Sequence, residues 1–328
     1  MLIGAIDAGG TKILAAVMTE TGEVLARCQD SVRTQTPDVP AYFTRCAEML
    51  AGCAREAGTR VEDLRGAGMN IPGMVTADGQ VLGSPSSRWG AFDARALLAS
   101  QPGFENLPLF FENDVNACAL AERRFGGAGD DFLWITVSTG IGGAVVADGR
   151  VIRGAGGCAG EFGHIVVERE NPLPCGCGGM GCLEAQAAGP AIKKRAAAAG
   201  LGAETDAKRC AELAWQGNAL ATKIYEETGV WLGRALAVYA NLLNPASVYI
   251  GGGVSGALDL MLPAIRRTLT AEAIPQCRGM RVERTRLGYE AALMGAAAVC
   301  LDGLGLNSSA HNTLVFEPII RMESAHEI

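Results

Sequence analysis

Leu2-Ile3-Gly4-Ala5-Ile6-Asp7-Ala8-Gly9-Gly10-Thr11-Lys12-Ile13-Leu14-Ala15-Ala16-Val17-Met18 is the stretch that decides the fold. An apolar run ends on an aspartate, a glycine pair turns the chain, and a second apolar run follows. Short apolar runs bounded by glycine read as strands, so the unit is strand, turn, strand. Thr21-Gly22 closes another turn, and Glu23 to Ala26 is expected to form a third strand. The same order returns at Phe132. Phe132 to Val137 is a strand, Ser138-Thr139-Gly140-Ile141-Gly142-Gly143 a turn, and Ala144 to Ala147 a strand. Asp148-Gly149 then turns into Val151-Ile152. Duplication of the whole fold is the economical reading; the alternative is two unrelated hairpins that look alike.

Between and after these units the chain alternates helices with short apolar strands. Residues 41–57 place Phe43, Cys46, Met49, Leu50 and Cys53 at helical spacing, which predicts a helix with one buried face. Gly66 to Ile71 reads as a strand ending at Pro72-Gly73, and Asp78-Gly79 as a hairpin turn before Gln80-Val81-Leu82. Leu109 to Phe111 is a strand running into Glu112-Asn113-Asp114, with a helix over Val115 to Arg124. Residues 184–240 read as largely helical. Asn244-Pro245 leads into the strand Ser247 to Ile250 and then Gly251-Gly252-Gly253. Ala291 to Leu301 is a last helix, and residues 305–328 lose periodicity.

Composition bounds the function. Of 328 residues, 49% are hydrophobic and 19% charged, which supports a large core and excludes wholesale disorder. The net charge of −7 and the lack of a basic run argue against nucleic acid and anionic membranes as partners. No run reaches the roughly 18 apolar residues of a membrane span, and no basic segment precedes the first strand as in a signal peptide. Most of the 11 cysteines stand alone, as reduced thiols of a cytoplasmic protein do.

The chemistry gathers at glycine turns and at one cysteine cluster. Turns at 9–10, 140–143 and 251–253 each end an apolar strand, and exposed backbone N–H groups there suit phosphate oxygens. No G-x-x-x-x-G-K-[ST] occurs, so there is no P-loop. Gly140-x-Gly142 imitates a dinucleotide fingerprint but leads into a strand rather than a helix, which removes the required context. Asp7, at a strand end before glycines, can hold Mg²⁺ beside phosphate or simply cap the turn. Lys12 can meet phosphate or stand exposed. Asp114 by itself reads as a helix N-cap, Glu161 as a loop residue and Glu184 as an acid of a first helical turn. His164 precedes Cys175-x-Cys177-x-x-x-x-Cys182, and one imidazole with three thiolates completes a tetrahedral structural zinc site. The other two histidines, His311 and His326, lie in the tail.

Taken together these motifs resemble the ROK family of bacterial sugar kinases and repressors. The matching segments are Asp7-x-Gly9-Gly10-Thr11-Lys12, Glu112-Asn113-Asp114-x-Asn116-x-x-Ala119, Thr139-Gly140-x-Gly142-Gly143, Glu161-Phe162-Gly163-His164, Cys175-x-Cys177-Gly178-x-x-Gly181-Cys182-x-Glu184 and Gly251-Gly252-Gly253. They run in family order over about 1–300. The resemblance implies an α/β fold, actin/hexokinase-like, with two ribonuclease-H-like domains around a cleft that holds ATP and a sugar. The expected division is 1–115 with the helix at about 291–305, then 116–290 with the zinc loop and adenosine site, then a tail over 306–328. ROK repressors carry an N-terminal helix-turn-helix, whereas here Asp7 begins the fold, so the kinase branch is expected.

By the same resemblance, Asp114 is the catalytic base, and Asn113, Glu161, His164 and Glu184 bind sugar hydroxyls. Gly140, Gly142 and Gly143, with Thr139, meet ATP phosphates, and Gly251 to Gly253 lie near adenosine. Asp7, Gly9, Gly10, Thr11 and Lys12 complete the nucleotide and Mg²⁺ site. Zn²⁺ is structural, and a homodimer or homotetramer is expected. One departure stands out. Glucokinases of the family often carry Pro-Asn-Leu before a tryptophan, where this chain has Pro85-Ser86-Ser87-Arg88-Trp89. Ser86 in place of Asn, with Arg88 beside it, leaves N-acetylglucosamine or N-acetylmannosamine as alternative substrates to glucose. A non-catalytic sugar sensor is the alternative of a different class.

Overall fold

The computed structural model describes residues 1–10, 12–31, 38–84 and 88–306. The opening stretch forms β1 (Leu2–Ala8), β2 (Lys12–Thr19) and β3 (Val24–Ser31), followed by helix α1 (Val39–Glu56) and strand β4 (Ala67–Ile71). A small side sheet of β5 (Met74–Val75), β6 (Gln80–Gly83) and β7 (Phe92–Asp93) precedes α2 (Ala94–Ala99), β8 (Leu109–Asn113) and α3 (Asp114–Arg124). The second half opens with β9 (Phe132–Val137), β10 (Ile141–Ala147) and β11 (Arg150–Ile152). Four helices follow: α4 (Leu183–Ala187), α5 (Gly189–Ala198), α6 (Ala207–Trp215) and α7 (Ala219–Leu243). The chain then runs through β12 (Ser247–Gly251), α8 (Leu258–Glu272), β13 (Arg281–Arg284) and α9 (Ala291–Gly303).

The two large sheets repeat each other. The first has the order β3-β2-β1-β4-β8, the second β11-β10-β9-β12-β13. In each, the first three strands are antiparallel, and the central strand pairs in parallel with the fourth, which pairs in parallel with the fifth. Two chance hairpins would not share the fourth and fifth strands, so the duplication is real. The third strand runs to Ser31, well past the expected Ala26, because β3 pairs along the whole of β2.

Helices α3 and α9 fill the layer between the sheets. One apolar cluster joins Ile3, Ala5 and Ala16 of the first sheet to Ala117 and Ala121 of α3, Ala296 and Ala297 of α9, and Trp134 and Ala144 of the second sheet. Small residues are required there. A Cβ on Gly68 of β4 would stand 2.0 Å from the Ala296 carbonyl oxygen, far inside contact distance, so α9 can lie this close only against glycine. Two further cores cover the outer faces, one under α1 and α2 and one under α4 to α8. This layering directs the carboxyl ends of β1, β4 and β8, where Asp7, Asn70 and Asn113 lie, to one edge of the first sheet. The carboxyl ends of β9 and β12 lead likewise into Ser138–Gly140 and Gly252–Gly253. Such edges are where open α/β sheets bind ligands. No helix among the described residues is long and apolar enough to cross a membrane.

Candidate active site

Asp114 is the first residue of α3, and the helix is capped by its neighbour. The Asn113 Oδ1 accepts from Val115 N (2.9 Å) and Asn116 N (3.1 Å), satisfying two otherwise free donors. Asn113 Nδ2 donates to Gly73 O and to Asp114 Oδ1, both at 3.0 Å. Asp114 is therefore freed from the capping duty that its sequence position suggests. Its Oδ1 is held by Asn113 and by Val115 N (3.0 Å), and the residue keeps part of its surface open.

Burial pushes the Asp114 carboxyl up to about 6, helped by the charge of Glu161 and opposed by its hydrogen bonds to Val115 and Asn113. Asp7 is buried and likewise raised to about 6, first by burial and then by the charge of Asp114, against Lys12 and a hydrogen bond from Asn70. Asn70 pairs with Asp7 in the β1–β4 register and is fully buried. Its Nδ2 donates to Ala292 O (2.6 Å), and its Oδ1 has no partner. Two carboxylates raised by burial, Asp7 further by the charge of Asp114, beside an unsatisfied acceptor, suit a hard divalent cation such as Mg²⁺. Tyr42 of α1 steadies the glycine turn by donating its hydroxyl to Gly9 O (2.9 Å). Neither Asn70 nor Tyr42 is marked by its sequence setting: one is a lone polar residue near the end of an apolar strand, the other sits on a helix face.

The second sheet brings up the other predicted residues. Glu184, in the first turn of α4, accepts from Ile141 N through Oε2 at 2.8 Å. This clasps the end of the Ser138–Gly140 turn so closely that a Cβ on Gly140 would lie 2.6 Å from that oxygen. The turn is shorter than the expected 138–143 because Ile141, Gly142 and Gly143 already pair with β9. Gly143 and Gly251 are explained by packing, since a Cβ would strike the rings of Phe162 and Trp134 respectively. Gly252 adopts φ +83°, and Gly253 opens a short helical turn. Thr11 and Ser86 lie outside the described residues.

His164, Cys175, Cys177 and Cys182 converge, with their donor atoms all within 4.8 Å of one another. Cys177 Sγ lies 3.7 Å from Cys182 Sγ, and His164 Nδ1 lies 3.7 Å from Cys175 Sγ. Two thiolates at about 2.3 Å from a tetrahedral zinc stand about 3.8 Å apart, so the donor set fits that ion. With Nδ1 turned to the thiols, His164 Nε2 faces the Glu161 carboxylate at 3.8 Å. The cysteine loop thereby sets the position of a candidate sugar ligand, as outer partners do at metal-bound histidines.

A separate cavity of about 460 Å³ opens on the second sheet's side, lined by Thr139, Lys193, Lys208, Trp215, Gly253 and Tyr289 among others. Its mouth carries two exposed aromatic rings, Trp215 and Tyr289. Neither Asp7 nor Asp114 lines it. Thr139 and Gly253, from the two glycine turns of the second sheet, border it.

A family model described as the ROK family matches residues 3–302. The chain belongs to the ROK family. It is 33% identical over 309 residues to a glucokinase of Halalkalibacterium halodurans, covering 88% of this chain and 92% of that one. It is 31% identical over 298 residues to an N-acetylmannosamine kinase of Shigella flexneri, covering 90% and 97%. A ROK glucokinase from Streptomyces griseus, solved with glucose and AMPPNP, superposes with a TM-score of 0.74 at 32% identity, over 92% of this chain and 100% of that one. The actin/hexokinase-like fold of this ROK chain matches the paired sheets described above.

Proposed function

We propose that this ROK protein is an ATP-dependent sugar kinase, a transferase of carbohydrate metabolism that moves the γ-phosphoryl group of ATP to the 6-hydroxyl of a hexose, glucose first. The observation that carries the reading is the Asp114 carboxylate, held by Asn113 and raised to about 6 by burial, at the carboxyl edge of the duplicated sheets. Asp114 is the general base that takes the hydroxyl proton as the oxygen attacks phosphorus in line. Its carboxyl is poised close to neutrality, where a base is both ionised and strong enough to accept.

The other roles follow by position. Asn113, Glu161, His164, Glu184 and Ser86 would bind the sugar. Asp7 would hold Mg²⁺, which neutralises phosphate charge when bound. Gly9, Gly10, Thr11, Lys12, Thr139, Gly140, Gly142 and Gly143 would cradle phosphates, and Gly251 to Gly253 would border the adenosine in the 460 Å³ cavity. Zinc on His164, Cys175, Cys177 and Cys182 would be structural, because four protein ligands leave no open position. The proposed lobes are 1–115 with 291–305, and 116–290. The kinase acts in the cytoplasm as a homodimer or homotetramer.

A second reading, N-acetylmannosamine or N-acetylglucosamine as substrate, is supported by the kinase relative named above and by Ser86, which is shorter than the asparagine of many glucokinases. Comparing kcat/KM for the three sugars in wild type and Ser86→Asn tests both. Glucose as best substrate, with Ser86→Asn lowering acetylated sugars further, supports the first reading. An acetylated sugar ahead of glucose supports the second, and binding without turnover of any sugar would make the protein a sensor.

A further inference from the structure

Glu112 is the penultimate residue of the first sheet's β8, just before the Asn113–Asp114 pair, and only 3% of it is exposed. A carboxylate that deep needs a cation and full hydrogen bonding to be tolerated. The cation comes from the other sheet. Arg153, directly after β11, donates from Nε to Glu112 Oε2 at 2.9 Å and from Nη2 to the same oxygen. The second carboxylate oxygen is spent on the motif itself. Glu112 Oε1 accepts from Asn113 N and from Asn116 Nδ2, both at 3.0 Å.

Arg153 also begins the loop that ends at Glu161. Its carbonyl accepts from Ala159 N (3.0 Å), which folds the loop back on itself. Farther along, Cys158 Sγ lies 3.3 Å from Met74 Sδ of the first half. One guanidinium thus ties together the strand end that presents Asp114 and the loop that presents Glu161 and His164. A surface ion pair would be a poor stability argument. This one has a buried carboxylate, shared with the backbone of the candidate sugar ligand.

We infer that Arg153 is a positioning residue: through Glu112 it sets the reach between the base Asp114 and the sugar-binding loop around Glu161. The inference rests on the kinase reading above. The Arg153 guanidinium is engaged by Glu112 and by Val151 O. Its loss displaces two groups that must both meet one hydroxylated ring, and a misplacement of about 1 Å can cost about 10²-fold in rate.

The test measures kcat, KM for glucose, KM for ATP and melting temperature in wild type, Arg153→Met, Arg153→Lys, Glu112→Gln and the Arg153→Met/Glu112→Gln double variant. Arg123→Gln, which removes the nearby surface pair with Asp130, is the control and keeps wild-type kinetics. Arg153→Met is expected to lower kcat by about 10- to 100-fold and raise KM for glucose, with KM for ATP unchanged. Arg153→Lys keeps the charge and recovers part of the loss. The double variant is no worse than the poorer single, because the pair acts as a unit. Wild-type kcat and glucose KM in Arg153→Met, whatever its melting temperature, overturn the inference. If that variant does not fold, full wild-type kinetics in both Arg153→Lys and Glu112→Gln do the same. Failure of the kinase reading looks different: wild type itself would phosphorylate no hexose.

Discussion

Asp114→Asn separates the chemistry from the fold. The carboxamide can keep the acceptor oxygen that Asn113 Nδ2 and Val115 N donate to at 3.0 Å, so glucose binding measured by calorimetry stays near wild type. The proton acceptor is gone, and turnover falls by about 10²- to 10⁴-fold. The pH profile follows from the carboxyl being raised to about 6 by burial. The base must be ionised, so kcat/KM of wild type declines as pH falls through about 6. Asp7, raised to about 6 by burial and by Asp114, titrates with it, so the acid limb belongs to the pair.

Stability moves the opposite way. Between the ordinary value of 3.8 and about 6, the folded protein keeps a proton that the unfolded chain has released, so Asp114's contribution falls as pH rises through that window. Above it the folded state bears the whole penalty, at most about 3 kcal/mol from 1.36 kcal/mol per unit, less for the part open to solvent. Asp114→Asn therefore gains about 1–3 kcal/mol of stability at pH 7.5 in magnesium-free buffer, read by denaturant unfolding. A variant turning over within about tenfold of wild type, below even the smallest effect typical of a lost general base, would refute the reasoning.

Three further outcomes are expected. Elemental analysis finds one zinc per chain, and Cys177→Ser loses it with a lower melting temperature and weaker glucose binding, since a structural metal contributes folding energy. Gly140→Ala, whose new Cβ would meet Glu184 Oε2 at 2.6 Å, breaks the Glu184–Ile141 contact and lowers kcat/KM by about 10- to 100-fold, the equivalent of one hydrogen bond to a charged group. Tyr42→Phe removes the hydroxyl bound to Gly9 O and raises KM for ATP by about 2- to 10-fold, the worth of one neutral hydrogen bond.

The parts legible in the sequence were those written by local rules. Asp7 and the glycine pair announced a strand end and a turn, and their return at Phe132 announced the duplicated sheets. His164 and the three clustered cysteines were a complete donor set because zinc demands particular atoms at short range. What was hidden depended on tertiary partners. Asn113, not Asp114, caps α3, a choice made by φ and ψ at one residue. Arg153 and Glu112 are common residue types, and only the crossing of two sheets makes them a pair. Asn70 reads as an ordinary polar residue in a strand until β1 and β4 align it with Asp7. The two-residue strands β5 and β7 are too short to carry any alternation.

The central claim is phosphoryl transfer from ATP to a sugar hydroxyl with Asp114 as base. Phosphorus NMR of wild type with glucose, ATP and Mg²⁺ tests it most directly. The account predicts that ADP and glucose 6-phosphate appear in equal amounts, with neither formed by Asp114→Asn over the same time. ATP hydrolysed to phosphate without a sugar ester, or the ester formed at undiminished rate by Asp114→Asn, would contradict it.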